Sequence, residues 1–130
     1  MFRPLHTAVS VALVCAPADG LRAASNATST RQPVMEIVSF KLTQDADETA
    51  FLAAARDTEA MLRARGSLIR RFLVKDESGL WTDIIEWTSM EEALSAAEAV
   101  MQEPDFAAFG AMIDGTTVDM RHAPILWRMD

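Results

Sequence analysis

Cysteine and histidine are scarce in this 130-residue sequence, and their scarcity removes several kinds of chemistry. The single cysteine, Cys15, lies near the N-terminus, so residues 35–130 can form neither a disulfide nor a thiolate metal site. The same region holds one histidine, His122. It has no zinc-ligand spacing, phosphate-binding glycine pattern or nucleophile elbow, so we expect no metal site. No apolar run approaches the roughly 18–20 residues of a membrane span, and we expect no membrane partner.

The charge is negative and unevenly distributed. The whole chain carries a formal charge of −7, and residues 1–34 contribute three arginines against one acidic residue. The remaining 9 basic and 18 acidic side chains give residues 35–130 a charge of −9. Because a domain this acidic repels phosphate backbones, the sequence predicts no nucleic-acid partner.

The first 34 residues differ in composition from the rest and are rich in alanine, serine and threonine. One interpretation is a secretory signal with an apolar core at Thr7–Cys15. The other is that translation starts at Met35, which makes residues 1–34 an over-extended start or a disordered leader. We therefore predict a single domain at 35–130. We expect it in the cytoplasm, or in the periplasm or outside the cell if residues 1–18 are a signal peptide.

The spacing of the hydrophobic residues alternates along 35–130 between that of a strand and that of a helix. A helix follows the first and the third strand, and the turn residues Asp76–Gly79 join the second and third strands into a hairpin. The predicted strands are Met35–Leu42, Ser67–Lys75, Leu80–Thr88 and Thr116–Trp127.

Both predicted helices begin with a capping signal. Asp45 and Ser89 are each followed three residues later by a glutamate, which is the spacing of a capping box. Pro104 interrupts the second helix. We expect Asp105 to cap its restart and Gly115 to end it.

These connections predict the arrangement of the sheet. Right-handed crossovers give a four-stranded antiparallel sheet in the order 4-1-3-2 with two helices on one face, a ferredoxin-like βαββαβ unit of the α+β class. The opposite face stays bare and carries apolar side chains in either register: Ile37 or Phe40, and Ile84 or Trp87. A two-fold homodimer would cover this face, so we expect the chain to pair with a second copy of itself.

Two segments carry a resemblance to a known family. Glu86–Ala93 runs from a strand-end tryptophan into a capped helix, and Glu103–Phe109 spans the break in the second helix. Together with the strand that opens at Met35, they resemble the antibiotic-biosynthesis-monooxygenase-like proteins of the dimeric α+β barrel superfamily, over nearly all of 35–130. The resemblance implies a dimeric α+β barrel and, for an enzyme, an oxygenation that uses no cofactor.

The sequence departs from this superfamily at its catalytic positions. Trp87 matches by position the tryptophan of the haem-degrading members, but residues 35–130 contain no asparagine and the second helix contains no histidine. Glu36 stands near the place where stress-responsive relatives often carry a histidine. The resemblance therefore transfers almost no catalytic residue.

The histidine and the aromatic side chains are the candidates for a site. His122, on the last strand, could be a general base near neutral pH or a hydrogen-bonded packing residue. Trp81 and Trp127, near strand ends, are expected to pack at the dimer interface or its rim. Four further aromatic residues suit a flat hydrophobic ligand, although core packing explains them as well. They are Phe40, Trp87, Phe106 and Phe109.

Charged side chains of the predicted hairpin point to opposite faces of the sheet. Asp83 and Glu86 are three residues apart on a strand, so they do not form an acid–base pair. Arg70 and Arg71 also face opposite ways, and we expect one of them to meet an acid across the hairpin.

Two functions are compatible with these residues. In the first, a homodimer binds or oxidises a hydrophobic aromatic molecule in an apolar pocket, with His122 as the base and Trp87 orienting the substrate. The second is a non-enzymatic ligand-binding or structural dimer, which the missing histidine and asparagine slightly favour.

Overall fold

The computed structural model describes residues 32–130, so the interpretations of the first 34 residues lie almost wholly outside the described chain. The described residues form four strands and four α-helices. The strands are β1 (Val34–Phe40), β2 (Leu68–Lys75), β3 (Trp81–Trp87) and β4 (Asp119–Pro124). The helices are α1 (Glu48–Asp57), α2 (Glu59–Ala64), α3 (Met90–Val100) and α4 (Ala107–Ala111). No helix among them is long and apolar enough to cross a membrane.

The four strands form one antiparallel sheet in the order β2-β3-β1-β4, which confirms the predicted topology. The hairpin turn between β2 and β3 is held by Asp76, whose carboxylate accepts hydrogen bonds from the backbone N–H groups of Ser78 and Leu80. Gly79 takes a φ of 84°, which a glycine adopts without steric cost. Strand β4 is shorter than predicted and ends at Pro124, on an edge of the sheet where a missing N–H donor is tolerated.

The predicted cap of the first helix was wrong by two residues. Asp47, not Asp45, has the extended backbone of an N-cap, and its carboxylate accepts from Ala50 N at 3.0 Å. The helix is also interrupted at Thr58, whose hydroxyl donates to Ala55 O at 2.6 Å. This local bond competes with the helical pattern and separates α1 from α2.

The second helix begins as predicted and ends differently. Ser89 Oγ accepts from Glu92 N, so the predicted cap of α3 is confirmed. Asp105 does not cap the restart, because Pro104 begins a 3₁₀ turn and Asp105 lies within it. Helix α4 ends at Ala111, and Gly115 instead opens a second 3₁₀ turn.

The core lies between the helices and one face of the sheet and consists of two buried clusters. Phe51 is the centre of one: it stacks on Phe109 with ring centroids 4.9 Å apart and meets the edge of Trp81 at 5.0 Å. Trp81 was expected at the dimer interface or its rim. It is 5% exposed and belongs to this core instead. The second cluster comprises Val34, Leu62, Ile85, Trp87, Ala93 and Ala96.

The other face of the sheet is uncovered by helices. Phe72, Ile84 and Ile37 are directly paired across β2, β3 and β1, so they share this face, and Phe72 is 53% exposed. Glu86 lies on it too but is buried, because Arg70 and Arg128 both bind its carboxylate. The expectation of a bare apolar sheet face is thus met, with Ile37 and Ile84 as its occupants.

Candidate functional site

A cavity of about 230 Å³ lies between the covered face of the sheet and the helices. Its wall is mainly apolar, with residues such as Val38, Ile85, Val100 and Ile113. Polar groups enter from the sheet and from the junction of α1 and α2. They are Glu36, Thr58, Arg71 and Asp83.

The four predicted aromatic residues all line this cavity. Phe40 and Phe109 meet edge to face with centroids 6.4 Å apart, and Phe106 meets Phe109 at 5.5 Å. Phe40, Trp87 and Phe109 are buried, so the same rings that form the wall also hold the core together. Their packing fixes the shape of the cavity.

A row of four residues, three of them polar, crosses the sheet beneath the cavity because the four are paired across the four strands. Arg71 is opposite Ile85, Ile85 is opposite Glu36, and Glu36 is opposite His122. His122 Nε2 and Glu36 Oε2 are 2.7 Å apart, and both side chains are largely buried. Glu36 lines the cavity directly, whereas His122 meets it through Glu36.

Burial raises the pKa of the Glu36 carboxyl above its ordinary value. The hydrogen bond and charge of His122 and a hydrogen bond from the Trp87 side chain lower the pKa, while the negative charge of Asp83 raises it. The desolvation dominates, so this carboxylate binds a proton more readily than one in water.

Trp87 brings a buried donor to the same place. Its indole is 1% exposed and lines the cavity. A hydrogen bond from the Trp87 side chain lowers the pKa of Glu36, although the contact does not reach ordinary hydrogen-bond geometry. Glu36 is therefore contacted by Trp87 as well as by His122.

A second ion pair stands beside the first. Arg71 Nε donates to Asp83 Oδ1 at 2.9 Å and Nη2 to Oδ2 at 2.6 Å, a bidentate arrangement. Arg71 Nη1 also donates to Thr58 Oγ1 at 2.8 Å, and the guanidinium lies 5.3 Å from the centroid of Phe109. The expected cross-hairpin pairing occurs on both faces, since Arg70 binds Glu86 on the bare one.

Glu36 was not predicted to be a site residue from the sequence. A signal was available: it is a charged residue in step with Val38 and Phe40, on the apolar face of β1. Within residues 32–130, no group of three His, Cys, Asp or Glu side chains is arranged to hold a metal ion.

Comparisons with known proteins identify the fold. No protein-family model matches the sequence, and no curated protein matches it either. Solved structures do match, over most of this chain. A candidate antibiotic biosynthesis monooxygenase from Bordetella bronchiseptica is 16% identical, with a TM-score of 0.61, and the match covers 74% of this chain and 99% of that one.

Two further solved structures match this chain with the same fold. SnoaB, a cofactor-independent oxygenase from Streptomyces nogalater, matches in a mutant form with 14% identity and a TM-score of 0.59, over 75% of this chain and 97% of SnoaB. A candidate antibiotic biosynthesis monooxygenase from Nitrosomonas europaea matches with 11% identity and a TM-score of 0.61, over 76% and 95% of the two chains. The chain therefore has the α+β, ferredoxin-like fold of the antibiotic-biosynthesis-monooxygenase-like proteins.

Proposed function

We propose that the protein binds a flat, hydrophobic aromatic molecule in the cavity and oxidises it with molecular oxygen without a cofactor. The observation that carries this proposal is the composition of the cavity wall, which is apolar except for one small group of buried polar side chains. The description of SnoaB, which shares the fold, as a cofactor-independent oxygenase supports the reaction class.

The chemistry requires a substrate that can give an electron to oxygen once it is deprotonated. The cavity supplies three things for this: a mainly apolar wall, a proton acceptor in the Glu36–His122 pair, and the buried indole of Trp87 to orient the ring. Phe40, Phe106 and Phe109 supply the aromatic contacts.

The test is oxygen uptake with anthrone and with a dihydroxynaphthalene, together with thermal unfolding in their presence. A ligand at a hundredfold excess over its Kd stabilises the protein by about 2.7 kcal/mol, which is easily visible in a melting curve. Ala97→Trp fills the cavity from α3, and Leu94→Trp is its matched control, because Leu94 lies on the same helix but is 52% exposed.

We expect oxygen uptake and stabilisation in the wild type and in Leu94→Trp, and neither in Ala97→Trp. Stabilisation without oxygen uptake would support the alternative, a non-enzymatic ligand-binding protein. If neither probe binds nor consumes oxygen, or if the Ala97→Trp protein is folded and fully active, the cavity is not the site.

We also propose that the protein forms a homodimer through the bare face of the sheet. Phe72, Val74 and Ile69 of β2 are between 38% and 53% exposed, and the C-terminal Leu126 and Trp127 are 88% and 77% exposed. Exposed apolar side chains of this kind favour association, and the same face on two copies can meet about a two-fold axis.

Two substitutions of equal exposure test the dimer. Phe72→Glu places a charge on the bare face, while Leu94→Glu places one on the outer helical surface, where the exposure is 52% against 53% for Phe72. In light scattering we expect a dimer for the wild type and for Leu94→Glu, and a monomer for Phe72→Glu. A monomeric wild type at micromolar concentration would refute the proposal.

A further inference from the structure

We propose that a groove on the outside of the protein binds an anionic amphiphile, a molecule with a short apolar body and one carboxylate group. The groove lies between helices α1 and α2 and strand β2, which is an edge of the sheet. Its volume of about 320 Å³ is within the range of small-molecule sites. It is a site separate from the cavity, so this proposal does not depend on the function proposed above.

The floor of the groove is apolar because both core clusters reach the surface there. Leu62 and Leu68 belong to or pack against one cluster, and Leu52 and Leu73 pack against the other. Leu62 is buried, as is Ala55 beside the floor, whereas the other three leucines are partly exposed. An apolar body placed on these side chains removes their remaining surface from water, which favours binding.

The rim of the groove is positively charged. Four arginines and one glutamate line the groove, which gives it a net charge of +3, while residues 35–130 together carry −9. They are Arg56, Glu59, Arg63, Arg70 and Arg71. A basic site in an acidic domain is complementary to an anion, and a guanidinium can bind a carboxylate through two parallel hydrogen bonds.

Three of these arginines can turn to a ligand at little cost. Arg56 is exposed and makes no ion pair with any residue of 32–130. Arg63 pairs with a glutamate one helical turn away, but both side chains are more than half exposed, so the pair contributes little. Arg70 is 46% exposed, and its partner Glu86 keeps a second arginine, Arg128, if Arg70 moves away.

The groove and the cavity are neighbours with a shared partition. Leu62 and Arg71 line both of them. Arg71 is held in place by its bidentate pair with Asp83 and by its hydrogen bond to Thr58. Its guanidinium is therefore engaged, and the anion is left to the arginines of the rim. A ligand in the groove does not need to enter the cavity.

The test is isothermal titration calorimetry of the full-length protein with sodium octanoate, and with octan-1-ol as the uncharged probe. Arg56→Gln removes a charge from the rim, and Lys41→Gln is its matched control, because Lys41 is exposed and follows β1, which β3 separates from β2. Leu52→Trp fills the groove, and Ala53→Trp, at an exposed position of the same helix, is its control. Ala97→Trp fills the cavity instead. Thermal unfolding shows whether each variant is folded.

We expect one octanoate per chain, bound at least about tenfold more tightly than octan-1-ol, because hydrogen bonds to a charged group are made. Arg56→Gln should bind octanoate about tenfold more weakly, while Lys41→Gln behaves as the wild type. Leu52→Trp should not bind it, and Ala53→Trp and Ala97→Trp should bind it unchanged. Added salt should weaken octanoate binding and leave octan-1-ol binding as it is.

Four results would overturn the inference. Equal affinity for octanoate and octan-1-ol would show that the rim does not recognise the charge. Loss of binding in Ala97→Trp with binding retained in Leu52→Trp would place octanoate in the cavity. Binding that appears only when the protein is diluted would show that a second copy covers the groove. A wild type that binds no octanoate at any protein concentration would leave the groove without this ligand.

Discussion

Removing the Arg71–Asp83 pair from the cavity wall is the sharpest test of how the site and the fold depend on each other. The two side chains form a bidentate pair, and the exposed fraction is 16% for Arg71 and 7% for Asp83. Arg71→Met and Asp83→Leu each leave a buried charge without its partner, which costs about 3–5 kcal/mol. The double variant removes both charges, and replacing a buried pair by apolar groups is commonly neutral or stabilising by about 1–4 kcal/mol.

The predicted result is therefore strongly non-additive. Urea unfolding of the wild type, both single variants and the double variant gives the four corners of the cycle. Each single variant should melt at least roughly 12 °C below the wild type, since 1 kcal/mol corresponds to about 4–8 °C in a domain of this size. The double variant should lie within about 1 kcal/mol of the wild type or above it.

Additive effects would refute this reasoning. If the double variant loses the sum of what the single variants lose, the two charges are not coupled, and the contact does not stabilise one charge by the other. A loss of less than about 1 kcal/mol in each single variant is what a solvated surface ion pair would give. That result would also refute the reasoning, which depends on the burial of Asp83.

Three further predictions follow from single positions. Because the pKa of Glu36 is raised, the native state takes up a proton more readily than the unfolded chain, and stability contributed by the neutral form is lost as pH rises. The melting temperature of Glu36→Gln should therefore gain on that of the wild type as the pH rises above about 4.3, the ordinary pKa of a glutamate, and the opposite trend would show a depressed pKa. Phe51→Ala removes the ring at the centre of one core cluster and should lower the free energy of unfolding by about 3–5 kcal/mol in urea titrations, whereas a loss under 1 kcal/mol would mean that the cluster closes over the gap. Gly79→Ala should cost about 1–2 kcal/mol because its φ is +84°, while Gly115→Ala, which also meets open space but has no such φ, should change stability less; equal losses would show that the left-handed backbone is not the cause.

Most of the fold could be predicted because its signals are local. Three of these signals each depend on residues a few positions apart. They are the alternation of side chains between the two faces of β1, the Ser89 cap and the hairpin turn at Asp76–Gly79. The errors were also local. Two aspartates, Asp45 and Asp47, compete for one cap, and only the backbone conformation before the helix decides between them.

The candidate site was predicted less completely. The four aromatic residues were identified because large apolar rings at strand and helix positions belong to a core whatever its details. The partner of His122 was not identified, because Glu36 lies 86 positions away in sequence and the two meet only through the register of β1 with β4. One of Arg70 and Arg71 was expected to meet an acid across the hairpin, but the place of Arg71 and Asp83 in the wall of a cavity depends on the helices above them.

The sequence by itself determined the order of the elements, the strand order of the sheet and the apolar character of both its faces. Periodicity, capping and chain connectivity are properties of short segments, and crossover handedness extends them to the whole sheet. The tertiary structure alone decided which polar groups share the cavity. Strand register sets Glu36 opposite His122, and burial then raises the pKa of the carboxyl. These are consequences of residues brought together from distant parts of the chain, where desolvation acts on groups that the sequence presents singly.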